Sequence, residues 1–515
     1  MQHLLASPPA RPWPLYGVSA TRTLETRWLA QLPAHSLMAR AGDAVFRLGR
    51  ALYPHARQVW VACGGGNNGG DGLVAALAWH RHCQVAGGRV SVGWFGHPDR
   101  LPDDARAAWQ ALQAAGIPLE NTPPPHTDLA IDALLGIGVQ RALDGALATC
   151  STWLQTTATP TLCVDLPSGL DADRGHWWGP APARPAGPRH TLSLLTLKPG
   201  LFTADGRDAV GDLWFDDLGT GSGDATPPLP PTAWLHGPAH APLNWRQAHT
   251  SHKGSRGNVV VIGGQDVAHN GNGMTGAALL AARAALRHGA GRVYVGLLAP
   301  HGGPGALSLD SLHPELMFRS PAALAPVVAA PDAVTVCGCG GGEAVAAELP
   351  ALLADSPTLV LDADALNVLA RQPGAQALVA ARRARGQSTV LTPHPLEAAR
   401  LLGTSAQMVQ DDRLGAAQRL AEGWQCTVVL KGSGTVVATP DATPRINPSG
   451  NGLLATAGTG DVLAGLIGAH LAQQPHGRGM PLEQTVADAV LAHGLAADRW
   501  PDRSVCLTAS DLYAV

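Results

Sequence analysis

Lysine is nearly absent from this chain of 515 residues. Only Lys198, Lys253 and Lys431 occur, so arginine supplies the rest of the 36 basic residues. Each lysine is followed by a glycine within two positions. A compact ammonium fits beside a phosphate held close to the backbone, where a planar guanidinium does not. The three positions are therefore candidate anion sites, with chance survival at a turn as the alternative.

The chain also lacks a long apolar run, a basic amino terminus and a strong net charge. No stretch approaches the roughly 18 charge-free apolar residues of a membrane span, and Met1-Gln2-His3 does not resemble a secretory signal. The formal net charge of −3 creates no field that attracts nucleic acid or anionic lipid. We therefore expect a cytoplasmic protein that acts on small molecules, without a nucleic-acid or membrane partner.

The eight cysteines lack the paired spacing of a zinc site. Several lie in apolar runs, which favours buried thiols. The hydrophobic content of 45% indicates a folded chain, and its length corresponds to two to four domains at roughly 100–200 residues each.

A segment rich in glycine and proline, residues 219–231, divides the chain into two halves. We predict domains at 1–218 and 241–515, joined by a linker at 219–240. In each half, short apolar β-rich runs alternate with helix-length segments, which favours parallel sheets covered on both faces and ligands at the carboxyl ends of strands. Residues 21–52 are expected to form amphipathic helices. The predicted strands are 58–63, 89–95, 128–134 and 161–165 in the first half, and 258–262, 292–298, 333–337, 358–362, 388–391, 426–430 and 435–438 in the second.

A glycine-rich turn follows the first long strand. It contains Gly64, Gly66 and Gly69 in the spacing GxGxxG and leads into a helical run. Such a turn exposes backbone amides to an anion. The next strand, however, ends without the acidic residue of a conventional dinucleotide fold, and the chain has no Gly-Lys pair for a P-loop.

Two aspartates close later strands of the same half. Asp132 and Asp165 each end an apolar run, and Ser168 follows the second. An aspartate in this position can cap a helix or form a turn. It can also contribute to a site: oxygen atoms from Asn68, Asp132 and Ser168 suit a hard cation, and Asp165 remains available for proton transfer.

The motifs GNNGGDG, DALLGIG and VDLPSGLDAD, with LMARAG before them and LKPG after them, resemble those of the NAD(P)H-hydrate epimerase domain over roughly residues 15–218. The resemblance implies a Rossmann-like three-layer sandwich that interconverts the R and S hydrates of NADH and NADPH. It assigns K⁺ to Asn68, Asp132 and Ser168, and the acid/base role to Asp165. It assigns the substrate to Asp165 and to Asn67, Asn68, Gly69, Gly70, Asp71, Gly136, Ile137, Gly138, Val139, Gln140, Arg141 and Ala142.

In the second half, the strongest signal is ATAGTGDVLAG, which opens a long apolar helix. The glycines at the helix start can hold a transferring phosphoryl group, and Asp461 can accept a hydroxyl proton, although an aspartate here can also be a simple N-cap. Lys431 begins a Gly-Ser-Gly turn suited to a nucleotide phosphate or a hairpin. His394 lies between two prolines after another strand, where lone histidines are usually structural. The loop around Lys253 can bind phosphate or cap a strand.

Together with VLDADALN, TPHPLE and LKGSGT, these motifs resemble the ADP-dependent NAD(P)H-hydrate dehydratases, which have a ribokinase-like fold, over roughly residues 240–512. The fused pair resembles the bifunctional NAD(P)H-hydrate repair enzymes, an isomerase joined to a lyase that uses ADP with Mg²⁺ and yields AMP and phosphate. A homo-oligomer is left open. The resemblance assigns ADP to Lys431, Gly432, Ser433, Gly434, Thr435 and Gly460, and the S hydrate to Ala277, Gly342, His394 and Asp461, with Asp461 as the catalytic base.

Two other functions fit parts of this pattern. A ribokinase-like kinase of a vitamin precursor, with a nucleotide-binding N-terminal domain, would leave a stable phosphorylated product. A nucleotide-sensing N-terminal domain would bind without turnover, against which stands the acidic Asp165 beside an asparagine–glycine loop.

Overall fold

The structure is a computed structural model. It describes residues 1–4, 11–183, 185–224, 226–237, 249, 251–267, 271–298, 307–473, 480–501 and 504–513. The chain forms two compact units, Met1–Leu235 and His236–Val515. The prediction of two α/β domains is confirmed. Within the described residues, no helix has both the length and the apolar character needed to cross a membrane.

The N-terminal unit is built on one twisted sheet with strand order β1-β8-β7-β6-β5-β3-β4, parallel from β8 to β4 and antiparallel at β1. Outside this seven-stranded sheet, β2 and β9 pair antiparallel with each other. The strands are β1 (Gln2–His3), β2 (Trp13–Leu15), β3 (Gln58–Gly64), β4 (Arg89–Phe95), β5 (Leu129–Ala133), β6 (Thr161–Val164), β7 (Arg189–Leu194), β8 (Asp212–Asp216) and β9 (Ala233–Leu235). The helices are α1 (Val18–Leu29), α2 (Ser36–Leu52), α3 (Asn67–Ala86), α4 (Asp103–Ala114), α5 (Gly145–Thr156) and α6 (Gly206–Ala209).

Helices cover both faces of this sheet because successive residues of a strand point to opposite sides. On β3, Val59 and Val61 pack into a core with residues of α2 and α3. Trp60 and Ala62 pack on the other face, against Leu154 of α5. This arrangement is the predicted three-layer sandwich, and α1 and α2 are the predicted amphipathic helices.

The C-terminal unit has strands in the order β12-β11-β10-β13-β14-β15-β16-β17-β18. They are parallel as far as β16 and antiparallel from β16 to β18. The strands are β10 (Asn258–Gly263), β11 (Arg292–Leu297), β12 (Met317–Phe318), β13 (Ala333–Cys337), β14 (Thr358–Leu361), β15 (Ser388–Leu391), β16 (Thr427–Leu430), β17 (Val436–Ala438) and β18 (Arg445–Ile446). The helices are α7 (Thr275–Arg287), α8 (Pro321–Val328), α9 (Val345–Asp355), α10 (Asp364–Arg371), α11 (Ala375–Ala384), α12 (Pro395–Leu402), α13 (Ala406–Asp411), α14 (Arg413–Trp424), α15 (Thr459–Ala472) and α16 (Leu482–Asp498).

The segment predicted as a linker has more structure than its composition indicates. Thr220 and Ser222 are buried, and the Ser222 hydroxyl donates a hydrogen bond to the Leu195 carbonyl. Ala233–Leu235 is a strand because its backbone pairs with Trp13–Leu15, a partner more than 200 residues away that composition cannot indicate. The boundaries at 218 and 241 remain predictions. Residues 225, 238–248 and 250, which fall on this linker and on the start of the predicted second domain, lie outside the described residues.

The cysteines follow the buried-thiol prediction. All are free, and only Cys506 among the eight is exposed. Burial raises the pKa of thiols such as Cys63 and Cys426 above the ordinary value, which keeps them protonated.

Close helix packing in the C-terminal unit depends on a glycine. A Cβ built on Gly465 of α15 would lie 2.0 Å from the Ala281 carbonyl oxygen of α7. We expect Gly465→Ala to destabilise this unit by about 1–3 kcal/mol through overpacking. The matched control is Gly276→Ala on α7, where a Cβ has nothing within 4 Å, so little change is expected. The midpoint of thermal unfolding measures both variants, and equal midpoints would contradict the packing argument.

Candidate active sites

A cavity of about 360 Å³ opens in the N-terminal unit at the carboxyl ends of β3, β5, β6 and β7. Loops that follow parallel strands converge at one sheet edge, which is where α/β folds bind ligands. The lining includes Asn67, Asn68 and Asp71 from the glycine-rich turn and α3, 136–139 from the loop after β5, Asp165 after β6, and Lys198 after β7.

Asp165 is held by a buried lysine. The Lys198 ammonium, which is 0% exposed, donates hydrogen bonds to Asp165 Oδ1 and to the carbonyls of Leu194 and Thr196, the latter two at 2.9 Å. The Leu194 amide also donates to Asp165 Oδ1, at 3.1 Å. Asp165 itself has a φ of 69°, a backbone conformation that residues other than glycine adopt at a cost and that clusters at functional sites. Asp165 therefore lines the cavity as the partner of a buried ammonium.

The glycines of the turn allow α3 to begin directly against β3. A Cβ on Gly69 would lie 1.9 Å from the Gly64 carbonyl oxygen, so only glycine permits this contact. Gly69 and Gly70 are therefore buried packing positions, while Asn67 and Asn68 reach the cavity. In the loop after β5, Gly136, Ile137, Gly138 and Val139 line the cavity. Gln140, Arg141 and Ala142, which were predicted to hold substrate, are exposed and are not among its lining residues.

The predicted cation ligands are neighbours. The buried Asp132 accepts hydrogen bonds from the Ser168 hydroxyl at 2.5 Å and the Ser168 amide at 3.0 Å. Ser168 Oγ in turn accepts from the Leu135 amide at 3.0 Å. The side chain of Asn68 lies against Gly136, where an added Cβ would be 3.2 Å from Oδ1, and its buried Nδ2 has no hydrogen-bond partner among the described residues. Rotation of that amide places an oxygen at the orphaned position, so a carboxylate, a hydroxyl and an amide oxygen here fit a hard monovalent cation.

Two further carboxyl groups line the same cavity. Burial, followed by the nearby Asp165 charge, raises the pKa of Glu25 on α1. Burial raises the pKa of Asp71 well above the ordinary value, and the charges of Asp165, Glu25 and Asp104 raise it further. The cavity therefore combines Asp165, which is paired with lysine, and Asp71, a carboxyl group that burial makes hard to ionise.

The second site lies at the carboxyl ends of β13 to β16, where α15 begins. Gly458 has a φ of 88°, which glycine adopts freely, and it turns the chain into the helix. Lys431 Nζ donates to Asp362 Oδ1 at 2.7 Å, and a Cβ on Gly460 would lie 3.3 Å from the same Nζ. The helix amino terminus and the ammonium thus converge on one point, an arrangement that favours a phosphate.

Asp461 lies in the first turn of α15 beside a thiol. Cys339 Sγ and carboxylate oxygens of Asp362 and Asp461 lie within 4.8 Å of one another. Burial raises the pKa of Asp461 to about 6, with a further increase from Asp362, while the hydrogen bond from Cys339 and the charge of Lys431 lower it. Asp461 is therefore ionised at neutral pH but is a stronger base than an exposed aspartate.

His394 has a structural role in addition to any contact with substrate. It is the N-cap of α12: its Nδ1 accepts from the Leu396 amide at 3.1 Å, and its own amide donates to Glu397 Oε2 at 2.8 Å. Burial and the Lys431 charge lower the pKa of His394, so the imidazole is neutral. Burial raises the pKa of Glu397 to about 7.

The remaining predicted residues are distributed around this edge. Gly342 has a φ of 57°, and its amide donates to Asp364 at 2.8 Å. Ala277, near the start of α7, packs against Gly340. Residues 431–435 form the turn between the antiparallel strands β16 and β17, so the hairpin and phosphate interpretations are compatible. Its glycines, Gly432 and Gly434, have φ values of 132° and 64°, while Ser433 is exposed and the Thr435 hydroxyl donates to the Gly432 carbonyl.

The loop around Lys253 is not part of this site. It forms a short 3₁₀ helix, Lys253–Arg256, that His252 caps through its Nδ1. The loop precedes β10 and so lies at the amino ends of the parallel strands, whereas Lys431 and Asp461 lie at the carboxyl ends. Of the two sequence interpretations, capping describes this loop.

Two site residues carried no distinct sequence signal: Glu25 lies on an ordinary amphipathic helix, and Cys339 looked like a buried thiol. Lys198, by contrast, stood out because lysine is rare in this chain. Asp362 follows a predicted strand just as Asp132 does, so the same criterion could have identified it. Glu397 is three residues after His394, the spacing of a capping box.

Comparisons with known proteins match both units. A family model described as NAD(P)H-hydrate dehydratase matches residues 259–514, and one described as YjeF-related protein N-terminus matches residues 34–200. The bifunctional NAD(P)H-hydrate repair enzyme of Escherichia coli (strain K12) is 36% identical over 484 residues, which cover 91% of this chain and 85% of the relative. That of Coxiella burnetii is 34% identical over 472 residues, with 90% of each chain covered.

Among solved structures, an ADP/ATP-dependent NAD(P)H-hydrate dehydratase from Bacillus subtilis, co-crystallized with ATP/Mg²⁺, is 29% identical. It covers 52% of this chain and 90% of its own, with a TM-score of 0.41. The bifunctional relatives, by contrast, match across both units at more than 30% identity and along most of their own length. The chain therefore belongs to the family of bifunctional NAD(P)H-hydrate repair enzymes.

Proposed function

We propose that the N-terminal unit interconverts the R and S hydrates of NADH and NADPH, and that the C-terminal unit dehydrates the S hydrate with ADP. The observation that carries the second assignment is Asp461 beside Lys431 at the amino terminus of α15. Here a base lies within one side-chain length of a helix amino terminus that can bind an anion. This arrangement suits the transfer of a phosphoryl group to a hydroxyl.

The dehydration needs a better leaving group than hydroxide. Asp461 accepts the proton of the hydrate hydroxyl as its oxygen bonds to the β-phosphorus of ADP and the bond between that phosphorus and AMP breaks. Lys431 and the amides at the start of α15 hold the transferring phosphate. The ring nitrogen then expels phosphate, and loss of a proton from the adjacent ring carbon restores NAD(P)H.

In the N-terminal unit, Asp165 is the acid/base residue, and Asn68, Asp132 and Ser168 would hold K⁺. The ion would supply positive charge beside the loop 136–139 and so hold the substrate-binding turn in place. Mg²⁺ has no matching ligand set in Cys339, Asp362 and Asp461, because a protonated thiol is a poor ligand for it and Lys431 already pairs with Asp362.

Asp461→Asn is expected to abolish ADP-dependent recovery of NADH absorbance from the S hydrate while epimerisation continues. In the wild type, the rate should fall about tenfold per pH unit as pH drops below about 6, because a base with a raised pKa gains its proton there. Dehydration that continues at the wild-type rate in the variant would overturn the role of Asp461.

Asp165→Asn is expected to prevent use of the R hydrate by removing the carboxylate that Lys198 holds. With ADP present, the variant should consume the S epimer of a mixture at the normal rate and leave the R epimer, apart from spontaneous conversion. Chromatographic separation of the epimers measures this. The surface variant Asp43→Asn is the control, because that carboxylate is exposed and pairs with Arg47 on the same helix.

The variant Asp132→Asn tests whether Asp132 is a ligand of K⁺. K⁺ is expected to raise the thermal unfolding midpoint of the wild type, because binding to the folded state alone stabilises it, and to raise its epimerisation rate. Both responses should require at least tenfold more K⁺ in the variant. An identical response of wild type and variant would exclude Asp132 as a ligand, and the absence of any response in the wild type would exclude the site.

A further inference from the structure

The epimerase cavity contains two aspartates in opposite environments, and the chemistry of epimerisation needs two proton carriers. Resting on the proposed function of this unit, we propose that Asp71 is the general acid of the epimerase site and that Asp165 is its general base. Asp71 then has a chemical role beyond that of a substrate contact.

Asp165 is paired with a buried cation. Its Oδ1 accepts hydrogen bonds from the Lys198 ammonium and from the Leu194 amide. The lysine is fully buried, and its other acceptors within the described residues are uncharged oxygens of Ser193, Leu194 and Thr196. A buried ammonium without a carboxylate partner would be costly, so the fold favours the pair of Lys198 with Asp165.

The surroundings of Asp71 favour its protonated form. It lies in the first turns of α3 and lines the same cavity, and no residue in the described part of the chain donates a hydrogen bond or forms an ion pair with its carboxyl group. Three carboxyl groups face it from packed elements: Glu25 from α1, Asp104 from α4, and Asp165 after β6. Lys198, which favours ionisation of Asp71, is already bonded to Asp165.

The net effect on Asp71 agrees with this geometry. Burial raises the pKa of Asp71 well above its usual value, and the three neighbouring carboxyl groups add to this more than Lys198 subtracts. Two further charged groups belong to these surroundings. Arg22 also lines the cavity, and His35 Nδ1 lies 2.6 Å from the Asp104 carboxylate. At neutral pH, Asp71 therefore carries a proton that it can donate, while Asp165 can accept one.

The hydrate carries its hydroxyl on the ring carbon next to nitrogen, because water adds to an enamine at that carbon. Asp71 donates its proton to this hydroxyl as the carbon–oxygen bond breaks and the nitrogen lone pair forms an iminium, releasing water. Water then attacks the opposite face of the iminium, and Asp165 takes a proton from it. Proton transfer from Asp165 to Asp71 through water restores both groups, so atoms and charge balance over the cycle.

The charge of the cavity fits the intermediate. An iminium is cationic, and the cavity presents the carboxylate of Asp165 together with Glu25 and Asp104. These groups stabilise a positive charge as it develops on the ring nitrogen and would repel the phosphates of the coenzyme. We infer that the cavity receives the hydrated nicotinamide end of the substrate.

The test is the pH profile of epimerisation, followed by chromatography from pure R hydrate with spontaneous conversion subtracted. Asp71→Asn is expected to lower kcat about 100-fold and to abolish the alkaline limb of the profile, where the wild type loses its acid, while the acidic limb remains. Asp71→Glu should retain the alkaline limb at a reduced rate. ADP-dependent dehydration of the S hydrate should be unchanged in both variants, as should epimerisation in the surface control Asp43→Asn.

Two results would overturn the proposal. One is an Asp71→Asn enzyme whose rate stays within threefold of wild type. The other is a slow Asp71→Asn enzyme that keeps the alkaline limb of the wild type, which would make Asp71 a substrate contact only. Failure of the proposed function itself gives a different result: neither the wild type nor any variant would convert R hydrate faster than the buffer.

Discussion

Two ion pairs that are each buried on one side, Lys198 with Asp165 and Lys431 with Asp362, are the interactions on which both active sites depend. An ammonium removed from water is stable only with a carboxylate and further oxygen acceptors around it. Each pair lies just beyond the carboxyl ends of parallel strands, where loops leave the sheet. The ion pair thereby fixes charged groups at the sheet edge, where water would otherwise screen their interactions.

Each unit places a second carboxyl group close to its ion pair without giving it a cation of its own. In the N-terminal unit this group is Asp71, and in the C-terminal unit it is Asp461. Burial raises the pKa of both, more strongly for Asp71 than for Asp461, whose pKa is about 6 and which accepts a hydrogen bond from Cys339. One site thus holds a proton ready to donate at neutral pH, and the other holds a base ready to accept one.

The elements that position these groups could be predicted well from local pattern. The apolar runs that alternate with helical segments correspond to the strands observed, within one or two residues at each end. The runs that became β7 and β8 were missed, although Lys198 and its carbonyl partners come directly after β7. The pairing of Ala233–Leu235 with Trp13–Leu15 was missed as well, because a short strand in a proline-rich segment is defined by a distant partner rather than by its own residues.

The sequence by itself determined the strand–turn–helix units, the glycines that let α3 begin against β3, and the strand ends and helix starts that carry Asn68, Asp132, Asp165 and Asp461. Periodicity and glycine placement are local properties, so they can be read along the chain. Only the tertiary structure decided which side chains share a proton or a charge: Lys198 with Asp165, Cys339 with Asp461, and Glu25 with Asp71. These partners come from different elements, and their burial and mutual distances, which set their charges, exist only once the sheet edges have formed.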